Sequence, residues 1–527
     1  MVLAANVKLT NREIWIVFIG LLVGNFLSAL DSMVLVTALP TIVGDLGGLS
    51  SISWVVTAYL LCSTTSAPIY GKLSDLYGRK RLYQFAICLF VVGSMLSGFS
   101  QTMGQLIGAR CVQGLGAGGL MVLSMSIIGD IVSPRERGRY QGVMGSTMAV
   151  ASLVGPIVGG FCVDHATWRL AFFINLPMGI LALAFTGAVL KLPKKIPVRH
   201  RFDVLGTALL ASASICILLA VSWGGDQYAW GSPVIVGLAI GAVASAVLLV
   251  PVERRAVEPV LPLRLFSSRI FNAVVLLGLT FGGAMWVGWM AMPIFMQVVT
   301  GASASKAGLL TFPLLMTITV TSIVSGRAIS RTGRYRVYPI AGTAVVGLGL
   351  VLYASMNAST NRYVASLYMV VLGAGTGFIM QNIVTIAQNA VDHRDLGIAT
   401  ATVNYFRSLG GSLGATIALA MLRTRLPHYV DRYVAGDQRG LLDAKTLQGD
   451  PSSIRALPDG VRRDVVDAFA HALRDAFLVG IPMIVVALII AVLIKEIPLR
   501  ETVGDAADES PGTAGAHPSV AIAAEMV

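Results

Sequence analysis

Charge is what this sequence has least of. Asp, Glu, Lys and Arg supply only 13% of the 527 residues, hydrophobic types supply 55%, and mean hydropathy is +0.76. A soluble globular chain carries about 25% charged residues, so this composition fits a protein dissolved in lipid. Cysteine is scarce too: Cys62, Cys88, Cys111, Cys162 and Cys216 are odd in number, lie inside apolar runs and form no CxxC pair. That argues against a disulfide or metal framework. The six histidines are scattered outside the apolar runs, and no His/Cys/Asp cluster or nucleophile motif occurs, which speaks against an enzyme. The sequence has no GxxxxGK[ST] phosphate loop, the cradle an ATP-driven machine needs. Carboxylates are absent from the interior of the apolar runs with one exception, Asp31.

What the chain does have is a series of apolar runs. Crossing a hydrocarbon core of about 30 Å takes about 20 helical residues. Fourteen such runs fall near residues 14–39, 52–71, 82–99, 104–128, 141–163, 171–190, 204–223, 233–252, 271–299, 307–326, 338–356, 363–387, 398–422 and 476–494. The reading is an all-α polytopic membrane protein with fourteen transmembrane helices. The first run exceeds a signal-peptide core and is expected to stay as a spanning helix. Of the 39 basic residues, 25 fall in segments on the side of the N-terminus. Lys and Arg in short loops remain in the cytoplasm, so both termini are expected to be cytoplasmic, in a cell (plasma) membrane such as a bacterial inner membrane. The net charge of +12 is then topological and gives a nucleic-acid partner no support.

The runs are organised by a repeat. "GKLSDLYGRKR" at 71–81 and "GRAISRTGRYR" at 326–336 align at an offset of 255, and the same offset carries "GPIVGG" at 155–160 onto "GGSLGA" at 410–415. Two matches at one offset indicate two six-helix bundles, a common plan for membrane transporters. The expected division is 1–13 N-terminal segment, 14–190 first bundle, 191–268 basic linker and two extra helices, 269–495 second bundle, and 496–527 disordered tail. The two extra helices read as a peripheral hairpin. A polar outer loop is expected at 423–475; its end places Val461, Val465, Val466, Phe469, Leu473 and Phe477 at helical spacing, as in a helix lying on the membrane surface.

The motifs come next. In "GKLSDLYGRKR", Gly71, Leu73, Asp75, Gly78, Arg79, Lys80 and Arg81 match the signature that follows the second helix of the major facilitator superfamily, which the chain resembles. The resemblance implies the major facilitator fold. It also implies a cytoplasmic charge latch in which Asp75 and the arginines hold an outward-open state; the second copy has Ser330 in place of Asp75. "LIGARCVQGLGAGG" at 106–119 resembles the family pattern whose arginine, here Arg110, is associated with proton coupling. "GPIVGG" looks like the family's antiporter motif, with Pro156 bending the helix and Gly155, Gly159 and Gly160 offering a smooth face for sliding against the other half. "LDSMVLVTALP" at 30–40 resembles the first helix of fourteen-spanner drug:proton antiporters of the multidrug efflux type, although Met33 and Val36 stand where Thr and Asn are usual. "TWRLAFFINLPMG" at 167–179 echoes the stretch before the family's sixth helix.

Depth connects two of these motifs. At about 1.5 Å per residue, Asp31 and Arg110 each lie roughly 10 Å inside the outer end of their helices. A carboxylate balanced between desolvation and a nearby guanidinium can load and release a proton, so Asp31 is the expected proton carrier and Arg110 its modulator. A fixed ion pair that staples two helices is the alternative. For substrate contacts, Trp286, Trp289 and Met290 offer adaptable apolar surface, Gln381, Asn382 and Gln388 offer polarity, and Arg407 suits an anion or simply faces backbone carbonyls. The leading expectation is a secondary active transporter, a proton-coupled exporter of amphiphilic drugs or metabolites. It needs no cofactor beyond the proton gradient, is surrounded by membrane lipids and functions as a monomer. A lipid or natural-product exporter shares every motif, and a non-transporting sensor is the different-class alternative.

Overall fold

The structure is a computed structural model that describes residues 11–46, 52–165, 167–189, 203–225, 227–302, 304–392, 395–436, 438–442 and 451–498. The first half holds α1 (Asn11–Leu46), α2 (Ile52–Tyr77), α3 (Arg79–Phe99), α4 (Met103–Ile131), α5 (Pro134–His165), the short α6 (Leu170–Phe173) and α7 (Asn175–Val189). The inserted hairpin is α8 (Val204–Trp223) and α9 (Pro233–Arg255). The second half holds α10 (Arg269–Ile294), α11 (Ala304–Thr332), α12 (Val337–Ala354), α13 (Arg362–Met380), α14 (Asn382–Asn389), α15 (Leu396–Tyr433) and a last helix, Asp459–Leu493. Local sequence starts these helices in familiar ways. Thr102 caps α4, Asp203 caps α8, and Ser232 followed by Pro233 opens α9, each side-chain oxygen accepting an orphan backbone N–H.

Twelve spans among the described residues are long and apolar enough to cross a membrane. Ile52–Tyr77 and Leu396–Tyr433, also expected to cross, are not among these twelve. Both carry more polar side chains because they border the centre of the molecule, as the site shows below. Ile157 is 67% exposed and Phe161 60%, apolar surface of a kind that lipid covers.

Each half has its own core, built around Phe18, Tyr83 and Phe90 in the first and Phe271, Phe281 and Phe477 in the second. The halves repeat one packing scheme. In the first, α1 packs on α5 and α7, α4 on α2 and α3; in the second, α10 packs on α15 and the last helix, α13 on α11 and α12. They meet along two seams, α2 against α15 and α5 against α11. The repeated glycines mark equivalent places. Gly78 and Gly333 turn the chain at φ 93° and 70°, in the left-handed region that glycine alone enters freely. Gly71 faces Gly397 of α15, and Gly326 faces Gly138 of α5, so a side chain at either would strike the opposite backbone.

Three expectations need correction. The segment 423–475 is mostly helix, because α15 continues to Tyr433 and the last helix begins at Asp459. The amphipathic stretch is therefore continuous with the last span. Its apolar stripe of Val461, Val465, Phe469, Leu473 and Phe477 is buried in the core of the second half. A 3.6-residue stripe reports a buried face without saying whether protein or lipid covers it. Finally, the hairpin is not merely peripheral: α8 touches both α2 and α15, with Trp54 edge-on to Trp223 at 5.5 Å and Ser214 Oγ 2.9 Å from Tyr405 Oη. The N-terminal residues 1–10, the linker 190–202 and most of the tail lie outside the described residues.

Candidate functional site: a buried ion pair, a central cavity and a latch

Asp31 and Arg110 meet. Arg110 Nη1 lies 2.7 Å from Asp31 Oδ2, with both side chains almost fully enclosed. Asp31 Oδ1 accepts bonds from Gln113 Nε2 and Asn175 Nδ2, both at 2.8 Å, and Gln113 Oε1 accepts from Arg110 Nη1 at 2.7 Å. Asn175 Nδ2 also reaches Ser94 Oγ, which donates to the Phe172 carbonyl. Arg110 Nε donates to the Val55 carbonyl at 3.4 Å, and its guanidinium covers the Tyr59 ring at 4.2 Å. A buried charge pair survives when its remaining donors and acceptors are satisfied, and α2, α4 and α7 supply the partners here. Gln113 and Asn175 were not singled out beforehand, yet each is a polar residue inside an apolar run and each sits in one of the quoted motifs.

The ion pair lies beside a central cavity of about 310 Å³, within the range of small-molecule sites, lined by residues of both halves and by Tyr59, Ser28 and Ser32 on the Asp31 side. Tyr59 Oη and Ser28 Oγ are 2.9 Å apart, forming a polar wall between the cavity and Asp31. Of the residues proposed to contact substrate, Trp286, Trp289, Gln381 and Arg407 line the cavity. Met290 does not; it is 43% exposed. Helical geometry explains this: at about 100° per residue, Met290 sits roughly 40° past Trp286, on the far side from Met285 and Trp289. Asn382 is buried away from the cavity, donating to Ser325 Oγ and the Phe378 carbonyl. Gln388 joins the halves, receiving a bond from Gln141 and donating to Thr400 Oγ1 and the Met125 carbonyl.

At the face that carries both described chain ends, Arg79 bridges Asp75 Oδ1 at 3.2 Å and Asp130 Oδ2 at 2.7 Å and donates to the Ser126 carbonyl. All of these belong to the first half. The bond across the seam is made by Asp75 itself, which accepts Gly397 N at 3.2 Å and Ile398 N at 3.0 Å. Those are orphan donors in the first turn of α15, where a negative charge is also favoured by the helix dipole. Gly71 and Gly78 allow this approach, whereas Arg81 is exposed and takes part in none of these bonds. The face is closed: Gly138 and Gly142 of α5 lie against Gly326 and Ser322 of α11, and Gln141 contacts Thr385.

The motif at 155–160 is placed differently from expectation. Gly155 backs onto Met33 of α1, within its own half, and Gly160 has open space around it. Gly159 is buried, and the helix runs unbroken through Pro156. The glycines of α5 that meet the other half are Gly138, Gly142 and Gly145, about three to five helical turns nearer the closed face.

Comparison with known proteins agrees with this architecture. The family model described as Major Facilitator Superfamily matches residues 21–415. An uncharacterized MFS-type transporter of Mycobacterium tuberculosis is 38% identical over 497 residues, covering 94% of this chain and 72% of that one. The multidrug transporter protein MdtP of Bacillus subtilis is 34% identical over 504 residues, covering 91% of this chain and 93% of that one. Among solved structures, the human organic anion transporter MFSD10 superposes with a TM-score of 0.61 at 14% identity, covering 92% of this chain and 100% of that one, a likeness of fold. With its paired six-helix halves and a family match across most of its length, the chain belongs to the Major Facilitator Superfamily.

Proposed function

We propose that this protein is a proton-coupled exporter of amphiphilic drugs or metabolites that works by alternating access in the cell membrane, as a monomer with both termini in the cytoplasm. The observation that carries the reading is the enclosed Asp31 and Arg110 pair, one Tyr59 ring away from the central cavity. With the cytoplasmic face shut, a proton from outside neutralises the Asp31 carboxylate and weakens its hold on Arg110. Reorientation then exposes the group to the cytoplasm, where the proton leaves and the ion pair re-forms. Substrate occupies the cavity in the opposite leg of the cycle, so that one equilibrium responds to both ligands. Among the named relatives, a multidrug transporter supports drugs as the substrate class. The proton gradient is the only energy source this scheme requires.

Proteoliposomes with an imposed pH gradient test it. Wild-type protein is expected to accumulate a dye substrate against its gradient, and Asp31→Asn to exchange the dye only downhill. Uphill transport that persists in Asp31→Asn removes Asp31 as the carrier.

A further inference from the structure

The side chains that line the central cavity include one full charge, Arg407 of α15. It is only 6% exposed. Of its five N–H donors, one bond is formed, from Nη1 to the Met380 carbonyl at 3.2 Å, where α13 breaks before α14. Among the described residues no carboxylate forms an ion pair with it, unlike Arg110 and Arg79. The same cavity wall holds unused polar atoms: Trp289 Nε1 has no acceptor, and Gln381 Oε1 and Asn404 Oδ1 have no donor. The rest of the wall is soft and apolar, with Met121, Met144, Met148, Met285 and Trp286. An enclosed guanidinium without a counter-ion is costly, so the cavity as it stands lacks a negative charge.

We propose that the cavity selects amphiphiles with an anionic head. A carboxylate, sulfonate or phosphate monoester sits on Arg407 and on the Trp289 indole N–H. A hydroxyl or amide N–H on the same molecule meets Gln381 and Asn404, and an aromatic or branched body packs among the methionines. Lipophilic cations are rejected by the same charge. The inference rests on the exporter reading only in taking this cavity as the substrate site. A soluble metabolite and an anionic phospholipid headgroup share this chemistry.

The test is calorimetric binding at neutral pH to purified protein in phosphatidylcholine nanodiscs, with naphthylacetate, neutral naphthylacetamide and cationic naphthylethylammonium. Wild type is expected to bind the carboxylate about tenfold or more tighter than the amide, and the cation weakest. Arg407→Met is expected to abolish that preference, bringing carboxylate and amide affinities within about threefold of each other, and Arg407→Lys to keep part of it. Equal affinity for all three ligands, or an anion preference that survives in Arg407→Met, overturns the proposal. The wild-type ranking decides the matter even where the methionine variant does not fold. In phosphatidylglycerol nanodiscs, competition that weakens carboxylate binding about fivefold assigns the site to a lipid headgroup, and unchanged binding assigns it to a soluble anion. Lost export with retained carboxylate binding refutes the exporter reading alone; persistent export of other compounds without carboxylate binding refutes this proposal alone.

Discussion

Replacing Asp75 by Asn is expected to loosen the closed face by about 2 to 4 kcal/mol. The carboxylate makes two bonds across the seam, to Gly397 N and Ile398 N, and bonds to a charged acceptor contribute about 1.5–3 kcal/mol each. Asn keeps one acceptor oxygen, so one bond is lost together with the charge at the start of α15, a further contribution of about 0.3–1 kcal/mol. A change of about 2 to 4 kcal/mol shifts a two-state equilibrium by roughly 30- to 850-fold. Arg139 and Arg327 are exposed and neighbour the Gly138 and Gly326 contact, so spin labels there report the separation of α5 and α11 by pulsed electron resonance. Wild type should give a short distance, and Asp75→Asn a second, longer population. Arg79→Met should do less, because every bond Arg79 makes stays within the first half. Identical distance distributions for wild type and Asp75→Asn, or a larger change for Arg79→Met, would refute the assignment of the seam bond to Asp75.

Three further outcomes are expected. In Gly326→Ala, the new methyl group would fall on the Gly138 carbonyl, so the same label pair should separate although alanine is the better helix former; an unmoved pair with raised thermal stability would contradict the close approach. Arg110→Met leaves Asp31 enclosed without its guanidinium, and should lower unfolding stability by about 3–5 kcal/mol. Adding Asp31→Asn to that variant should restore part of the loss, and a double variant no more stable than the single one would show that the unpaired carboxylate is not the cause. At the opposite face, the exposed Asp45 accepts Trp168 Nε1 at 2.8 Å and Arg169 Nη1 at 2.9 Å. These bonds hold its pKa below the ordinary 3.8. A lowered folded pKa means the tie is complete above the unfolded carboxylate range and is lost as pH falls through the folded value. An acid transition in Trp168 emission is expected in wild type, and its persistence in Asp45→Asn would exclude this pair as the source.

What the sequence disclosed follows from what has a period or a cost. Apolar runs announce helices, a repeated glycine turn announces the doubled bundle, and a carboxylate in hydrocarbon announces a partner at equal depth, which Arg110 is. Partners made of backbone leave no such trace. The α15 donors that receive Asp75 lie more than three hundred residues away and could have been any two residues at a helix start. Glycine motifs were legible as close contacts but not as contacts with a particular neighbour, hence Gly155 against Met33 of its own half. Gln113 and Asn175 were in plain view as polar residues within apolar runs; a search for charges alone passes over them, although a buried carboxylate needs neutral donors as much as a counter-ion.

The Asp31 network and the latch share one element, α2. Arg110 touches that helix at Val55 and Tyr59, and Asp75 holds α15 about 30 Å further along it, at about 1.5 Å per residue. Between them α2 presents Ser63, Thr64 and Ala67 to the cavity. A continuous helix fastened at one end to an ion pair and at the other to the opposite half is an element whose tilt both can bias. Its counterpart α11 is built otherwise. It has Ser330 where α2 has Asp75, and it meets α5 through Gly326 and Ser322 against Gly138 and Gly142. Close glycine packing therefore joins both seams, and at the α2 and α15 seam the Asp75 carboxylate adds two bonds to it.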